Sequence, residues 1–126
     1  MGRVEPRGFE ELAVYQLAAA LADELRQAVH DWDPLDRWSA GIQTIRAADS
    51  IGANIAEATG RWSHADQSRF LFMARGSVHE LEHWIARAVA RDLSCPADAR
   101  SRSHEIGRML NGLIRSFRRG GRILSD

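Results

Sequence analysis

Some residues in this chain have the types and spacing that chemistry requires. His79-Glu80-Leu81-Glu82-His83 is a literal H-E-x-x-H. On a helix, two histidines four residues apart share a face and can hold one zinc ion, with the glutamate as general base. A zinc hydrolase also needs a third ligand and a substrate-binding strand. Asp92 and His104 are only nominal third ligands, and the charged Glu82 is atypical inside such a motif. The expectation is therefore no catalytic residue, no metal site and no cofactor, with adventitious metal uptake by His79 and His83 favoured over catalysis.

A second group is a polar stripe. Arg46, Ser50, Asn54, Glu57 and Arg61 recur at steps of four and three beside the apolar face Ile45, Ala48, Ile51, Ile55 and Ala58. With Arg75, Ser77 and Glu80 downstream, Ser50, Asn54 and Glu57 predict a polar network at a seam between two helices. No nucleophile–base pair accompanies it, so the expected role is to satisfy half-buried groups and fix register or subunit pairing. Gly52 lies within the same helix, where glycine costs about 1 kcal/mol relative to alanine. Ala47, Ala48, Ala53 and Ala56 surround it, which predicts close approach of another helix.

The third group is basic. From Ser94 onward stand Arg100, Arg102, Arg108, Arg115, Arg118, Arg119 and Arg122, against Asp98, Glu105 and Asp126. Arg108, Arg115, Arg118, Arg119 and Arg122 are the candidates for tracking phosphates. The first half leans acidic, and the formal net charge is zero, which disfavours indiscriminate nucleic-acid binding. The chain has no lysine, so a lysine nucleophile, Schiff base or P-loop lysine is excluded.

These groups need elements to position them. The 126 residues suffice for one domain with a core, and 44% apolar with 27% charged residues fits a globular chain. No apolar run reaches the roughly 18 residues of a membrane span, and Met1–Pro6 carries no secretory pattern. The single Cys95 fits a reducing compartment, so a cytoplasmic location is expected. Periodicity predicts four helices: about Phe9–His30, Pro34–Thr59 with Asp33 as N-cap, a third from the Ser63–Asp66 capping pattern to about Asp92, and Pro96–Arg119. Gly60 is the expected left-handed stop of the second helix and Gly120-Gly121 the stop of the fourth. Phe70, Met73, Ser77, Leu81, Trp84 and Ala88 are the predicted lining of the third. Short connections favour an all-α, antiparallel up-down four-helix bundle over 9–119, with tails at 1–8 and 120–126.

The order of motifs then resembles a known family. It runs Phe9-Glu10-Glu11-Leu12-Ala13-Val14-Tyr15-Gln16, Ser50-Ile51-Gly52-Ala53-Asn54-Ile55-Ala56-Glu57, Gly60-Arg61, Ala74-Arg75-Gly76-Ser77, Glu80-Leu81-Glu82 and Leu113-Ile114-Arg115-Ser116. This is similar to the bacterial four-helix-bundle family that includes the 23S ribosomal RNA intervening-sequence protein. The resemblance implies up-down bundles assembled into ring-shaped homopentamers. A related branch comprises the accessory proteins of diversity-generating retroelements, which bind nucleic acid and a reverse transcriptase. Ala58 stands where the family usually has glycine, and this chain is neutral where the retroelement branch is basic.

The function expected from these readings is a non-enzymatic oligomeric scaffold or adaptor that engages RNA, DNA or a nucleic-acid enzyme. The alternative is a purely structural protein-interaction module, with the zinc hydrolase as outsider. Leu12, Tyr15, Leu71, Phe72, Val78, Ile85 and Val89 widen the apolar faces beyond one stripe per helix, which predicts a subunit interface.

Overall fold

The computed structural model describes residues 8–124, and among these there are helices and no strand. A 3-10 turn, Phe9–Glu11, precedes helix α1, Ala13–His30. The sequence predicts one helix from Phe9, but Leu12 is extended (φ −71°, ψ 128°) and interrupts it. The break puts Leu12 into the core and leaves the Phe9 ring edge-on to Tyr15, with centroids 5.0 Å apart.

After α1, Asp33 accepts a hydrogen bond from the Asp36 amide at 3.1 Å and Pro34 opens the next helical turn, as expected of a cap followed by proline. The predicted continuous second helix is corrected here. A helical turn Pro34–Asp36 passes through a π-helical turn Arg37–Gly41 into helix α2, Ile42–Thr59. Gly41 lies so close to α1 that a Cβ there would come 2.6 Å from Val29 Cγ1. The wider π turn seats glycine at that contact.

Ser63 caps helix α3, His64–Ala90, by accepting from the Asp66 amide at 3.1 Å. Gly60 is right-handed (φ −89°), not left-handed as predicted, and its amide closes the helix end on the Glu57 carbonyl at 3.1 Å. Asp92 does adopt the left-handed conformation (φ 56°), and the Leu93 amide reaches back to the Ala88 carbonyl at 2.9 Å. Helix α4, Ala99–Arg118, starts later than the predicted Pro96 and ends at left-handed Gly120 (φ 83°). The Gly121 amide closes that end on the Ser116 carbonyl at 2.9 Å. Beyond it Ile123 is buried against the core. Residues 1–7 and 125–126, which include most of the predicted N-terminal tail, lie outside the described residues.

Each helix packs against its neighbours in sequence, and α1 also packs against α4, closing an antiparallel four-helix bundle. Leu21, Leu25, Ile51, Ile55, Leu81, Ile106 and Leu110 fill its centre. The α3 lining departs from the prediction. Phe70, Leu71, Ala74, Val78, Leu81, Ile85 and Ala88 face inward, Ser77 is half-buried, and Met73 is exposed. Four residues read as surplus apolar surface, Leu12, Leu71, Val78 and Ile85, are therefore core. A smaller cluster, Val29, Trp32, Ala40 and Ala88, seals one end of the bundle. Trp32 Nε1 donates to the Ser94 carbonyl at 2.7 Å, tying the α1–α2 connection to the α3–α4 connection.

Candidate functional site

Arg108 and Arg115, seven residues apart, share one face of α4, and Arg119, the cap residue just past its end, follows four positions on. Ile106, Leu110, Ile114 and Phe117 occupy the opposite, buried face. At a rise of about 1.5 Å per residue the three guanidinium-bearing positions are spaced about 10 and 6 Å along the axis. All three are exposed, as is Arg118, and none of these four forms an ion pair among the described residues. Arg102 is already committed. It pairs with Glu24 of α1 and with Asp98 at 3.4 Å, and the hydrogen bond it donates to Glu24 leads the effects that raise its pKa. Arg122 lies past the helix stop and lines a concavity of about 310 Å³ with Thr59, Trp62, His64 and Gln67.

A groove of about 280 Å³ between α3 and α4 is lined by Arg75, His79, Glu82, His104, Arg108 and Asn111, among others. Arg75 Nη1 donates to Asn111 Oδ1 at 3.1 Å, and the same guanidinium lies over the Phe72 ring at 4.8 Å. His104 Nε2 approaches Glu82 at 3.4 Å. His83 points its ring edge-to-face at Trp84, with centroids 4.8 Å apart. The histidines of the H-E-x-x-H run therefore have different neighbours. Among the described residues no group of three His, Cys, Asp or Glu side chains converges to hold a metal ion.

The predicted polar network does not form as one unit. Ser50 and Ser77 join α2 to α3, with their hydroxyl oxygens 2.7 Å apart. Asn54 instead donates within its own helix to the Ser50 carbonyl at 2.9 Å, and Glu57 pairs with Arg61 one turn on at 3.0 Å. Arg75 faces α4, and Glu80 is exposed. Helical spacing puts these residues on shared stripes, but Arg75 finds its partner, Asn111, on the other flank. Gly52 does meet a close neighbour: a Cβ there would lie 3.3 Å from Tyr15 Cε2. That neighbour belongs to α1 of the same chain, so Gly52 marks a close internal contact.

The sequence placed Trp84 in the lining of the third helix and left Trp62 in a connection without a role. Trp84 is half-buried against the core, whereas Trp62 is 101% exposed, as open as a residue can be. Its loop is nonetheless held. Gln67 Nε2 donates to the Arg61 carbonyl at 2.9 Å, and the adjacent Ser63 caps α3. Arg61 and Arg69 place their guanidinium carbons 4.6 and 4.7 Å from the centroid of the Phe70 ring. The readable signal was the position of Trp62, between Gly60 at a helix end and the capping Ser63.

No curated protein matches this chain. The fold is similar to a crystal structure of a protein of unknown function from the S23 ribosomal protein family of Bacteroides thetaiotaomicron, with a TM-score of 0.74 at 24% identity, covering 81% of this chain and 95% of that one. The model of the 23S rRNA-intervening sequence protein family matches residues 10–112. That match spans most of the bundle, from the turn before α1 into α4, and the chain belongs to the 23S rRNA-intervening sequence protein family.

Proposed function

We propose that the chain is a non-enzymatic oligomeric scaffold that binds nucleic acid through the arginine face of α4. The observation that carries this reading is the row Arg108, Arg115 and Arg119, exposed opposite the core and without ion pairs among the described residues. Arginine presents a planar fork that matches phosphate oxygens, and uncommitted arginines on one helix face track a backbone. Repetition of this face around a closed homo-oligomer, a pentamer by family resemblance, multiplies a weak single-chain contact. The partner enzyme that the resemblance implies is a reverse transcriptase, and the setting is cytoplasmic. Among the described residues no helix is long and apolar enough to cross a membrane.

The test is fluorescence anisotropy with labelled RNA and DNA across a salt series. Changing Arg115, Arg118 and Arg119 to glutamine should weaken binding for every sequence and flatten the salt dependence, because fewer counterions are released. Unchanged binding moves the site elsewhere, and no binding by the parent protein at low salt removes the nucleic-acid reading.

A purely structural interaction module is the second reading, and one observation favours it. Val29, Ile42, Ile45 and Trp38 line an apolar groove of about 390 Å³ between α1 and α2, rimmed by Arg26, His30 and Arg37. Trp38 and the nearby Leu35 are largely exposed. Light scattering addresses assembly: a ring should give a mass near five chains, a dimer rejects the pentamer, and a concentration-independent monomer rejects the scaffold.

A further inference from the structure

We infer that Trp62 is a stacking platform for an unpaired nucleobase, so that the nucleic acid engaged at this end of the bundle is single-stranded. The inference rests on the nucleic-acid reading above and names its substrate class. The indole is fully exposed, yet its loop is fixed on both sides by the Gln67–Arg61 and Ser63–Asp66 hydrogen bonds. A large aromatic on a fixed loop has only two side-chain torsions to order when a flat ring covers it.

Trp62 lines two concavities. On one side the lining includes Glu57 and Asp66 with Arg61, and both acids are already paired, Glu57 with Arg61 at 3.0 Å and Asp66 with Arg69 at 3.5 Å. On the other it includes Thr59, His64, Gln67, Arg122, Ile123 and Leu124, with no acid among the described residues of the lining. That concavity, at about 310 Å³, lies at the small end of the pocket range of about 300–1,000 Å³. We thus assign the base to the exposed indole face and its phosphates to Arg115 and Arg118 in the last turn of α4, which the antiparallel bundle brings to the same end as Trp62. A base inside a duplex has both faces covered and cannot stack there, so the platform selects unpaired strands. Stacking is indifferent to base identity, which predicts tolerance of sequence.

The experiment compares full-length parent, Trp62→Ala and Trp62→Phe by anisotropy with three 12-nucleotide probes. These are a base-containing single strand, the same strand with abasic sites, and a duplex; RNA and DNA versions of each show whether the sugar matters. Trp62→Ala should weaken single-strand binding about 5- to 140-fold, the factor given by roughly 1–3 kcal/mol of stacking at 1.4 kcal/mol per decade. It should leave duplex and abasic binding unchanged, and Trp62→Phe should retain most of the affinity. Circular dichroism and light scattering confirm fold and mass for each variant. If the parent binds nucleic acid but Trp62→Ala binds the single strand equally well, the platform is overturned and the arginine reading stands. Equal losses on all three probes also overturn it. If Trp62→Ala lowers the oligomer mass, Trp62 is a subunit contact and the inference fails. If the parent binds no probe, the nucleic-acid reading and the platform fail together.

Discussion

Trp32 and Trp62 each stand in a connection just after a long helix, and they meet opposite fates. Trp32 is 3% exposed, packs in the small cluster with Val29, Ala40 and Ala88, and spends its indole N–H on the Ser94 carbonyl. Trp62, at the other end of the bundle, covers nothing. The charges divide the same way. The connections around Trp32 carry Asp31, Asp33, Asp36, Asp92 and Asp98 against Arg37 and Arg91. Among the described residues, the bundle end that carries Trp62 holds Arg61, Arg69, Arg115, Arg118, Arg119 and Arg122 against Glu10, Glu11, Glu57 and Asp66. One end uses its tryptophan to tie two connections together, and the other holds its tryptophan open beside cations. A neutral net charge conceals this polarity, because the opposite excesses cancel in the sum.

Exchanging each tryptophan for alanine tests the contrast most strongly. Trp32→Ala should destabilise the chain by about 3–5 kcal/mol in a denaturant melt, the usual cost of emptying a buried aromatic site. Trp62→Ala should stay within about 0.5 kcal/mol of the parent, as surface changes do. Equal losses would show that both ends are structural. The glycines at the two ends offer a finer comparison. Gly41→Ala forces a Cβ to within 2.6 Å of buried Val29 Cγ1 and 3.2 Å of the Asp36 carbonyl. Overpacking of about 1–3 kcal/mol should exceed the gain of up to about 1 kcal/mol in helix propensity, lowering the melting temperature. Gly60→Ala meets only the Glu57 and Ala56 carbonyl oxygens, at 3.7 and 3.9 Å, and its backbone is right-handed. It should stabilise by about 0.4–1 kcal/mol through the unfolded state. A loss at Gly60 would show that the Trp62 loop needs freedom that the static geometry does not reveal.

Smaller effects sharpen the same contrast. Ser63→Ala removes the cap of α3 and should cost about 1 kcal/mol. If the Trp62 platform exists, the change should also weaken single-strand binding, because that cap fixes the loop. Cys95 lies in the connection that Trp32 holds, and burial pushes its thiol above the ordinary cysteine value. Its thiolate fraction at pH 8 is therefore below that of a free cysteine. Reaction with a disulfide reagent should be slow there and accelerate as pH rises. Trp32→Phe, which deletes the indole N–H, should speed that reaction at fixed pH, and Trp62→Ala should leave it unchanged.

The bundle itself was legible in the sequence. Apolar residues at three- and four-residue steps define a helical face whatever the partner, and Asp33, Ser63 and Gly120 acted locally as written. The arginine row of α4 was legible for the same reason, since seven and four residues are whole numbers of turns to within a few tens of degrees.

Tertiary structure decided what lies beyond one helix. On α3, a helix of 27 residues, apolar side chains occupy more than one stripe, and only contact with α2 and α4 chose Leu71, Ala74 and Val78 over Met73. Arg75 turned to Asn111 because a long side chain reaches either flank and takes the nearest acceptor. The π turn at Arg37–Gly41 depends on a contact with Val29 that no local pattern encodes. Two tryptophans just past helix ends look alike in one dimension. Whether a second connection lies within reach, as Ser94 does for Trp32, is a property of the folded chain alone.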